Sequence, residues 1–417
     1  MDTFLYRIFI LIYITAARLL SLWNAKARAL VKGRKGLLNK IEADLSVAPR
    51  QNRIWIHCAS MGEFEQGRPI IEKLKSNNPD CIIILTFFSP SGYEVRKNYP
   101  LANFVYYLPF DTPGNAKKFV DIVQPSVAIF VKYELWYFFL KNLYARKVPT
   151  ILIAAIFQPR HVYFKAYGSL HRRMLSFLTH LFVQNEASKK LLAGIGINNV
   201  SVAGDTRLDS ALAFAQTERA YPLIEAFKGS DKLIIAGSTW IDDENLLHQS
   251  LSVLKSHGIK LLLVPHEIHQ SHLDKIKEVF NTEELTFYSH SAVRPEHKVM
   301  VMDNMGHLAY LYRYADFVWI GGGFTKTGIH NSIEAAVYDK ALCWGPRYNR
   351  YQEAMDLIAA GAAYSCPDSE QFTAQVLRWL QHPEEHKKAE MAAHRYVNQN
   401  KGASIKIIHL LRQQGLL

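Results

Sequence analysis

Apolar and polar positions divide the chain into three patterns. Residues 4–23 form its most lipophilic segment, and the centre at 8–17 (IFILIYITAA) holds no charge between the flanking Arg7 and Arg18. From residue 53 short apolar runs alternate with stretches of helical spacing. The runs fall at 53–59, 81–88, 104–111, 126–134, 150–157, 181–186 and 200–209. Residues 211–230 contain no strand pattern and read as a linker. A second series follows at 232–239, 260–267, 298–303, 316–323 and 341–346, with helical tails from about 369 to 414. Unbroken Val/Ile/Leu runs separated by helices predict parallel sheets covered on both faces. Two such series predict two doubly wound α/β domains facing a cleft, with ligands held past the carboxyl ends of the strands. A chain of 417 residues is long enough for two domains of roughly 150–200 residues each.

The lipophilic start reads as a signal peptide, a buried helix or a membrane anchor. No small-residue cleavage site stands out, and basic residues follow the apolar run, which argues against a signal peptide. Lys26, Arg28, Lys32, Arg34, Lys35 and Lys40 come next. A cationic stretch after an apolar helix stays on the cytoplasmic side. The anchor, spanning or lying in the interface, is the preferred reading.

Composition sharpens this picture. The net charge of +12 asks for an acidic partner: nucleic acid, anionic lipid or a phosphorylated substrate. Residues 141–207 hold ten basic residues, Arg160 and Arg207 among them, against only Glu186 and Asp205. Such an excess is either a solvated surface or a patch for anionic headgroups, and Tyr163, Phe164 and Tyr167 interleave with it as interfacial residues do. No RRM, KH or zinc-finger signature speaks for nucleic acid. The four cysteines are scattered with no CxxC pair, as in a reduced domain without a disulfide frame or zinc site.

Candidate chemistry lies just after the strands. Gly321 to Glu334 (GGGFTKTGIHNSIE) reads as strand, glycine loop and helix N-terminus. Gly322 and Gly328 would let a ligand approach the backbone, the helix start at His330-Asn331 would offer N–H groups to a phosphate, and Glu334 would grip ribose hydroxyls. The alternative is a capping box, with Asn331 as N-cap and Glu334 at N3. Ser60, Gly62 and Glu63 follow the first strand. A carboxylate at a helix start is expected to be ionised at neutral pH, as a general base requires; the structural alternative is a Glu placed for the helix dipole. Gly237, Ser238 and Thr239 end the first strand of the second series and either hold a phosphate or cap a helix. Asp242, Asp243 and Glu244 just behind them favour a single phosphate over several. Pro265 and His266 follow the next strand. His266 and His269 beside Glu267 lack a third metal ligand, so a hydrogen bond to a nucleotide or phosphate is preferred to a metal site. Met305 and Gly306 open another helix, where Met305 either packs or presses on a flat base.

With these residues in view the chain resembles the 3-deoxy-D-manno-octulosonic acid (Kdo) transferase family nearly end to end. The resemblance is carried by SMGE (60–63), YLPFD (107–111), ELW (134–136), QNE (184–186), GST (237–239), MGHL (305–308), GIHNSIEAA (328–336), and Gly345-Pro346 with Asn349. It implies a GT-B fold: two Rossmann-like domains around a cleft, preceded by an N-terminal membrane-anchor helix. The domains are expected at 36–215 for the acceptor and 216–417 for the nucleotide sugar, after an anchor and basic segment at 1–35. It implies CMP-Kdo as donor, a phosphorylated lipid A precursor as acceptor, anionic lipids at the cytoplasmic face of the inner membrane, and no cofactor or metal. By the same resemblance Glu63 matches the catalytic base. Asn331, Glu334, Pro265, His266 and Met305 fall at nucleotide-contacting positions, with Gly237, Ser238, Thr239, Gly306, Gly322, Gly328 and His330 around them. Ser60, Gly62, Glu134, Arg160 and Arg207 fall on the acceptor side. The chain departs from the pattern at His266, where the family commonly has Arg. A GT-B enzyme using a UDP-sugar and a membrane-docked lipid-binding protein are the alternatives.

Overall fold

The computed structural model describes residues 2–417. The chain forms two compact units. One runs to Ser210 and takes in Lys401–Leu417; the other is Ala211–Asn400.

The first unit is built on a seven-stranded sheet of β1 (Arg53–Cys58), β2 (Ile82–Phe87), β3 (Phe104–Tyr107), β4 (Val127–Val131), β5 (Thr150–Ala155), β6 (His180–Val183) and β7 (Val200–Val202). Their spatial order is β3-β2-β1-β4-β5-β6-β7, and every pairing is parallel. The second unit repeats the plan with β8 (Lys232–Thr239), β9 (Ile259–Pro265), β10 (Leu285–Phe287), β11 (Val299–Val301), β12 (Phe317–Ile320), β13 (Leu342–Trp344) and β14 (Ala363–Ser365). Its order is β10-β11-β9-β8-β12-β13-β14, again wholly parallel. The pattern of the second series predicts five strands. The two it misses, β10 and β14, have three residues each and form the two edges of the sheet, where short strands limit edge pairing.

The first helix, Asp2–Leu20, is long and apolar enough to cross a membrane. It is not free of the body. Ile10, Ile14 and Ala17 are buried along one face. On that same stripe the Tyr6 hydroxyl donates to Asp111 Oδ2 at 2.7 Å, and Tyr13 leans on Phe88 and Phe110. Asp111 also accepts the backbone N–H groups of Phe138 and Phe139, so one buried carboxylate ties the first helix to the start of the helix Tyr137–Ala145. The opposite face leaves Phe4, Leu5, Phe9, Leu11, Ile12, Leu19 and Leu20 exposed.

The last helix, Ala403–Gln413, packs on the first unit, although the sequence pattern carries the second domain to 417. Asp209 accepts the N–H groups of Gly402 and Ser404 and so caps it. Ile407, Ile408 and Leu411 join a core with Ile70, Ile71 and Leu74. Residues 211–230, which read as linker, are helical in part, as the end of Thr206–Gln216 and as Pro222–Lys228. Ile407→Ala, at a fully buried position, is expected to cost about 2–5 kcal/mol in urea unfolding of the full chain; a loss near zero would mean the helix is not docked there.

Candidate active site

The strand order turns back in the middle of each sheet, where loops leaving two neighbouring strands diverge to leave a crevice; in the second sheet β10 and β11 are also exchanged at the edge. In the first unit this point lies between β1 and β4. Glu63 follows β1, in the first turn of the helix Met61–Asn77, and Glu134 follows β4. Glu63 is half-buried, and its carboxylate accepts the N–H of Ala59. Burial, and then the charge of Glu134, push its pKa up to about 7, against the pull of the Ala59 N–H and of Lys132. The expectation of a fully ionised Glu63 is therefore corrected: desolvation and a like charge outweigh the helix start. Burial raises Glu134 as well. Lys132 carries a left-handed φ of 62°, a conformation rare outside glycine that marks the end of β4.

Ser60 and Gly62 flank Glu63, with open space around Gly62. Arg207 binds both oxygens of Asp205, so its charge is largely spent inside the fold. Arg160 is exposed on the loop after β5. Phe88 and Trp136 stack at 4.6 Å beside the β2 and β4 ends and give this edge an aromatic wall.

In the second unit the reversal lies between β8 and β12. Ser238 bulges out of β8 with a left-handed φ of 56°. The glycines after β12 answer to backbone packing: a Cβ on Gly323 would lie 2.5 Å from Gly345 N, and one on Gly321 would strike the Ser238 carbonyl. Gly322 and Gly328 take positive φ and are buried, and Gly237 backs onto Tyr312. Asp243, fully buried, binds this edge together. It accepts from Trp240 N (3.0 Å), Gly322 N (2.8 Å) and Trp319 Nε1 (3.1 Å). Burial lifts its pKa to about 6. Glu244 is equally buried, held by the Thr239 hydroxyl and His272. Only Asp242 of the acidic trio faces solvent, so the trio does not form a negative screen, and Thr239 has its hydroxyl turned into the core.

Trp240 Nε1 donates to His330 Nε2 at 2.9 Å, and His330 stacks on His266 at 4.2 Å. Burial and the neighbouring His266 drop the His330 pKa to about 4, and burial lowers His266 too. His330 is thus a neutral ring at neutral pH, and His266 is shifted in the same direction. This Trp–His–His wall was not legible in the sequence, because its members lie 90 residues apart.

The expected helix at 330–334 is shorter than its pattern. The helix is one turn, Ile333–Ala336, with Ser332 at the N-cap. The backbone at 329 and 330 is instead pinned to Arg347 and Gly321. The Asn331 side chain donates to Glu334 Oε1 at 2.9 Å and accepts from Ile333 N. With Ser332 at the cap, Asn331 stands one position before it and Glu334 second in the helix, so the capping-box alternative does not hold. Pro265 is buried at the end of β9; Met305 is exposed beside Gly306, which has a left-handed φ of 86°.

Two Rossmann-like units with polar residues gathered at their reversal points define a GT-B fold. Solved structures match it in fold alone: UDP-GlcNAc 2-epimerase from Neisseria meningitidis, bound to UDP-GlcNAc, has a TM-score of 0.62 at 14% identity, covering 87% of this chain and 100% of the other. The epimerase from Listeria monocytogenes has 0.63 at 12%, covering 87% and 96%. Sequence similarity is more specific. The family model described as 3-deoxy-D-manno-octulosonic-acid transferase (kdotransferase) matches residues 31–210. The 3-deoxy-D-manno-octulosonic acid transferase of Haemophilus influenzae is 25% identical over 376 residues, 87% of each chain. That of Bordetella pertussis is 25% identical over 383 residues, 87% of this chain and 88% of its own. The chain is thus similar to Kdo transferases, which are glycosyltransferases, over most of its length.

Two outcomes test these electrostatics. Glu63 has its folded pKa raised from 4.5 to about 7, so its contribution to stability is greatest below about pH 4.5 and falls as pH rises through about 7. Glu63→Gln removes that fall, and the thermal midpoint of the variant should gain on the native protein as pH rises across this window; a constant gap would mean Glu63 ionises normally. Asp243→Ala leaves buried donors unpaired and should cost about 1–3 kcal/mol for each in urea unfolding; an unchanged midpoint would show that Asp243 does not hold the β8 and β12 loops.

Proposed function

We propose that this chain transfers Kdo from CMP-Kdo to a phosphorylated lipid A precursor, with inversion, in lipopolysaccharide biosynthesis. The observation that carries the reading is Glu63: a half-buried carboxylate at a strand-order reversal, with its pKa pushed up to about 7, in a chain similar to Kdo transferases over most of its length. A base with a pKa close to the working pH combines a large deprotonated fraction with real basicity. Glu63 takes the proton of the acceptor hydroxyl as that oxygen forms a bond to the anomeric carbon of Kdo. The bond from that carbon to the phosphate oxygen breaks on the opposite face, and CMP leaves with the electron pair. Charge develops on the leaving phosphate, where Ser238, His266 and backbone N–H groups at the β8 and β12 ends would donate to it. Asn331 and Glu334 would face the nucleotide. Ser60, Gly62, Glu134 and Arg160 would face the acceptor, with Arg207 behind them.

The 36–215 region would thus serve the acceptor and the 216–417 region the donor, apart from the last helix. The first helix buries one stripe against the first unit and exposes the other. That favours a helix lying in the membrane interface over a free span, at the cytoplasmic face of the inner membrane.

With CMP-Kdo generated in place and a tetraacylated lipid A precursor, Glu63→Gln should lose about 10²-fold or more in transfer while still binding CMP in preference to UDP. In the native enzyme kcat/KM should rise with pH and level off above about 7, as Glu63 deprotonates. Full activity in the variant would remove Glu63 as base, and preference for UDP would favour a UDP-sugar donor.

A further inference from the structure

Positive charge at the carboxyl edge of the second sheet comes from two loops. The segments that leave β8, β9, β11, β12, β13 and β14 for the next helix hold three Lys or Arg residues in all: Lys326 after β12, and Arg347 and Arg350 after β13. The three converge. With Gly328, Pro346 and Asn349 they line a cavity of about 400 Å³, and no acidic residue lines it. None of the three forms an ion pair among the described residues.

The two loops are sewn together. Arg350 Nη1 donates to the Lys326 carbonyl at 2.9 Å, and the Tyr351 hydroxyl donates to the Thr327 carbonyl at 2.9 Å. The Arg347 backbone is held from both sides, by Gly323 O and Ile329 N. Gly328 joins the cavity to the Trp–His–His wall: a Cβ on Gly322 would lie 2.7 Å from the Gly328 carbonyl oxygen and 2.9 Å from the His330 ring. That wall contributes little charge, since burial lowers the pKa of both His330 and His266. An anion held at the wall therefore has its Lys and Arg counter-charge in this cavity, one loop away.

We propose that Lys326, Arg347 and Arg350 bind the carboxylate of the donor sugar, and so select a sugar acid over a neutral sugar. The proposal rests on the reading of the donor as the CMP ester of a 2-ulosonic acid. In that ester the phosphate is a diester with one negative charge, and the sugar's carboxylate carries the other. Both groups are attached to the anomeric carbon, so a carboxylate site has to adjoin the phosphate site, as this cavity adjoins the wall. A guanidinium takes a carboxylate through two parallel N–H···O bonds, and the Lys326 ammonium and the Asn349 amide supply further donors. A neutral sugar in the same place would leave the cations without a partner, and discrimination follows from that loss.

The test compares transfer with CMP binding in the full chain. The combined variant Lys326→Gln, Arg347→Gln, Arg350→Gln should lose about tenfold or more in kcat/KM for CMP-Kdo generated in place, while its Kd for CMP, which has no carboxylate, changes by less than about twofold. Retained CMP binding also shows that the variant is folded. Lys326→Gln alone should show the same split on a smaller scale, about threefold. A control with the same charge change at the exposed Lys275, Lys388 and Arg395 of the second unit should keep the native kcat/KM. An unchanged kcat/KM in the combined variant, an equal loss in the control, or an equal weakening of CMP binding overturns the cavity as a carboxylate site; the last would assign the cations to the phosphate. Failure of the native protein to transfer from CMP-Kdo overturns the donor reading itself.

Discussion

The fold depends on one constraint: both sheets are wholly parallel. Parallel neighbours require a crossover after each strand, so every strand of a sheet ends on the same edge. Polar residues that follow the strands have nowhere else to gather, because the strands are buried on both faces. The reversal of strand order then leaves a crevice at one place on that edge. Glu63 and Glu134 stand on either side of it in the first unit, and Ser238 and His330 do so in the second. The order of strands, more than any single motif, therefore decides which of the many loops matter. Lys132 and Ser238, at the ends of β4 and β8, both take left-handed φ, a conformation that costs a non-glycine residue free energy.

Sequence pattern was strongest where physics is local. Seven apolar runs in the first unit correspond to seven strands, since a strand buried on both faces must be apolar throughout. It failed where a neighbour decides. LTF at 285–287 and AYS at 363–365 are too short for any period to register, and pairing with β11 and β13 makes them strands. The glycines at 321–323 looked like room for a ligand, but Gly321 and Gly323 make room for the chain itself. Asp243 and Glu244 read as negative charge bearing on a phosphate site because sequence shows no burial; both are core hydrogen-bond acceptors. Ionisation of Glu63 was misread for the same reason, since the Glu134 beside it is 71 positions away in the chain.

Buried charge is the fastening that both chain ends share. Arg53, almost fully buried, donates to the carbonyls of Leu45, Ala48, Pro49, Ile122 and Val123 and so fixes the segment entering β1. Arg34 does the same for the basic segment after the first helix. Asp111 holds the first helix through Tyr6, and Asp209 caps the last. Each of these groups would be expensive if left unpaired, so each contact is specific in a way that an apolar contact is not. The first helix is consequently part of the first unit's fold and not an appendage to it. Arg34, counted in the sequence with its cationic neighbours as a surface charge, belongs to that framework.

The pairing of Glu63 with Glu134 shows how the same economy of burial serves chemistry. A carboxylate at the start of a helix, left in solvent, would be a weak base, fully ionised and held by the dipole. Half-burying it and setting a second carboxylate nearby reverses the balance, and Lys132 and the Ala59 N–H keep the reversal from going too far. With its pKa lifted to about 7, Glu63 is partly deprotonated at neutral pH and more basic than an ordinary carboxylate, the combination that the proposed general base needs. Nothing in this balance is supplied by one residue. It requires β1 and β4 to be neighbours, which only the crossover order β3-β2-β1-β4 provides, so the acid–base property of the site is a consequence of the topology.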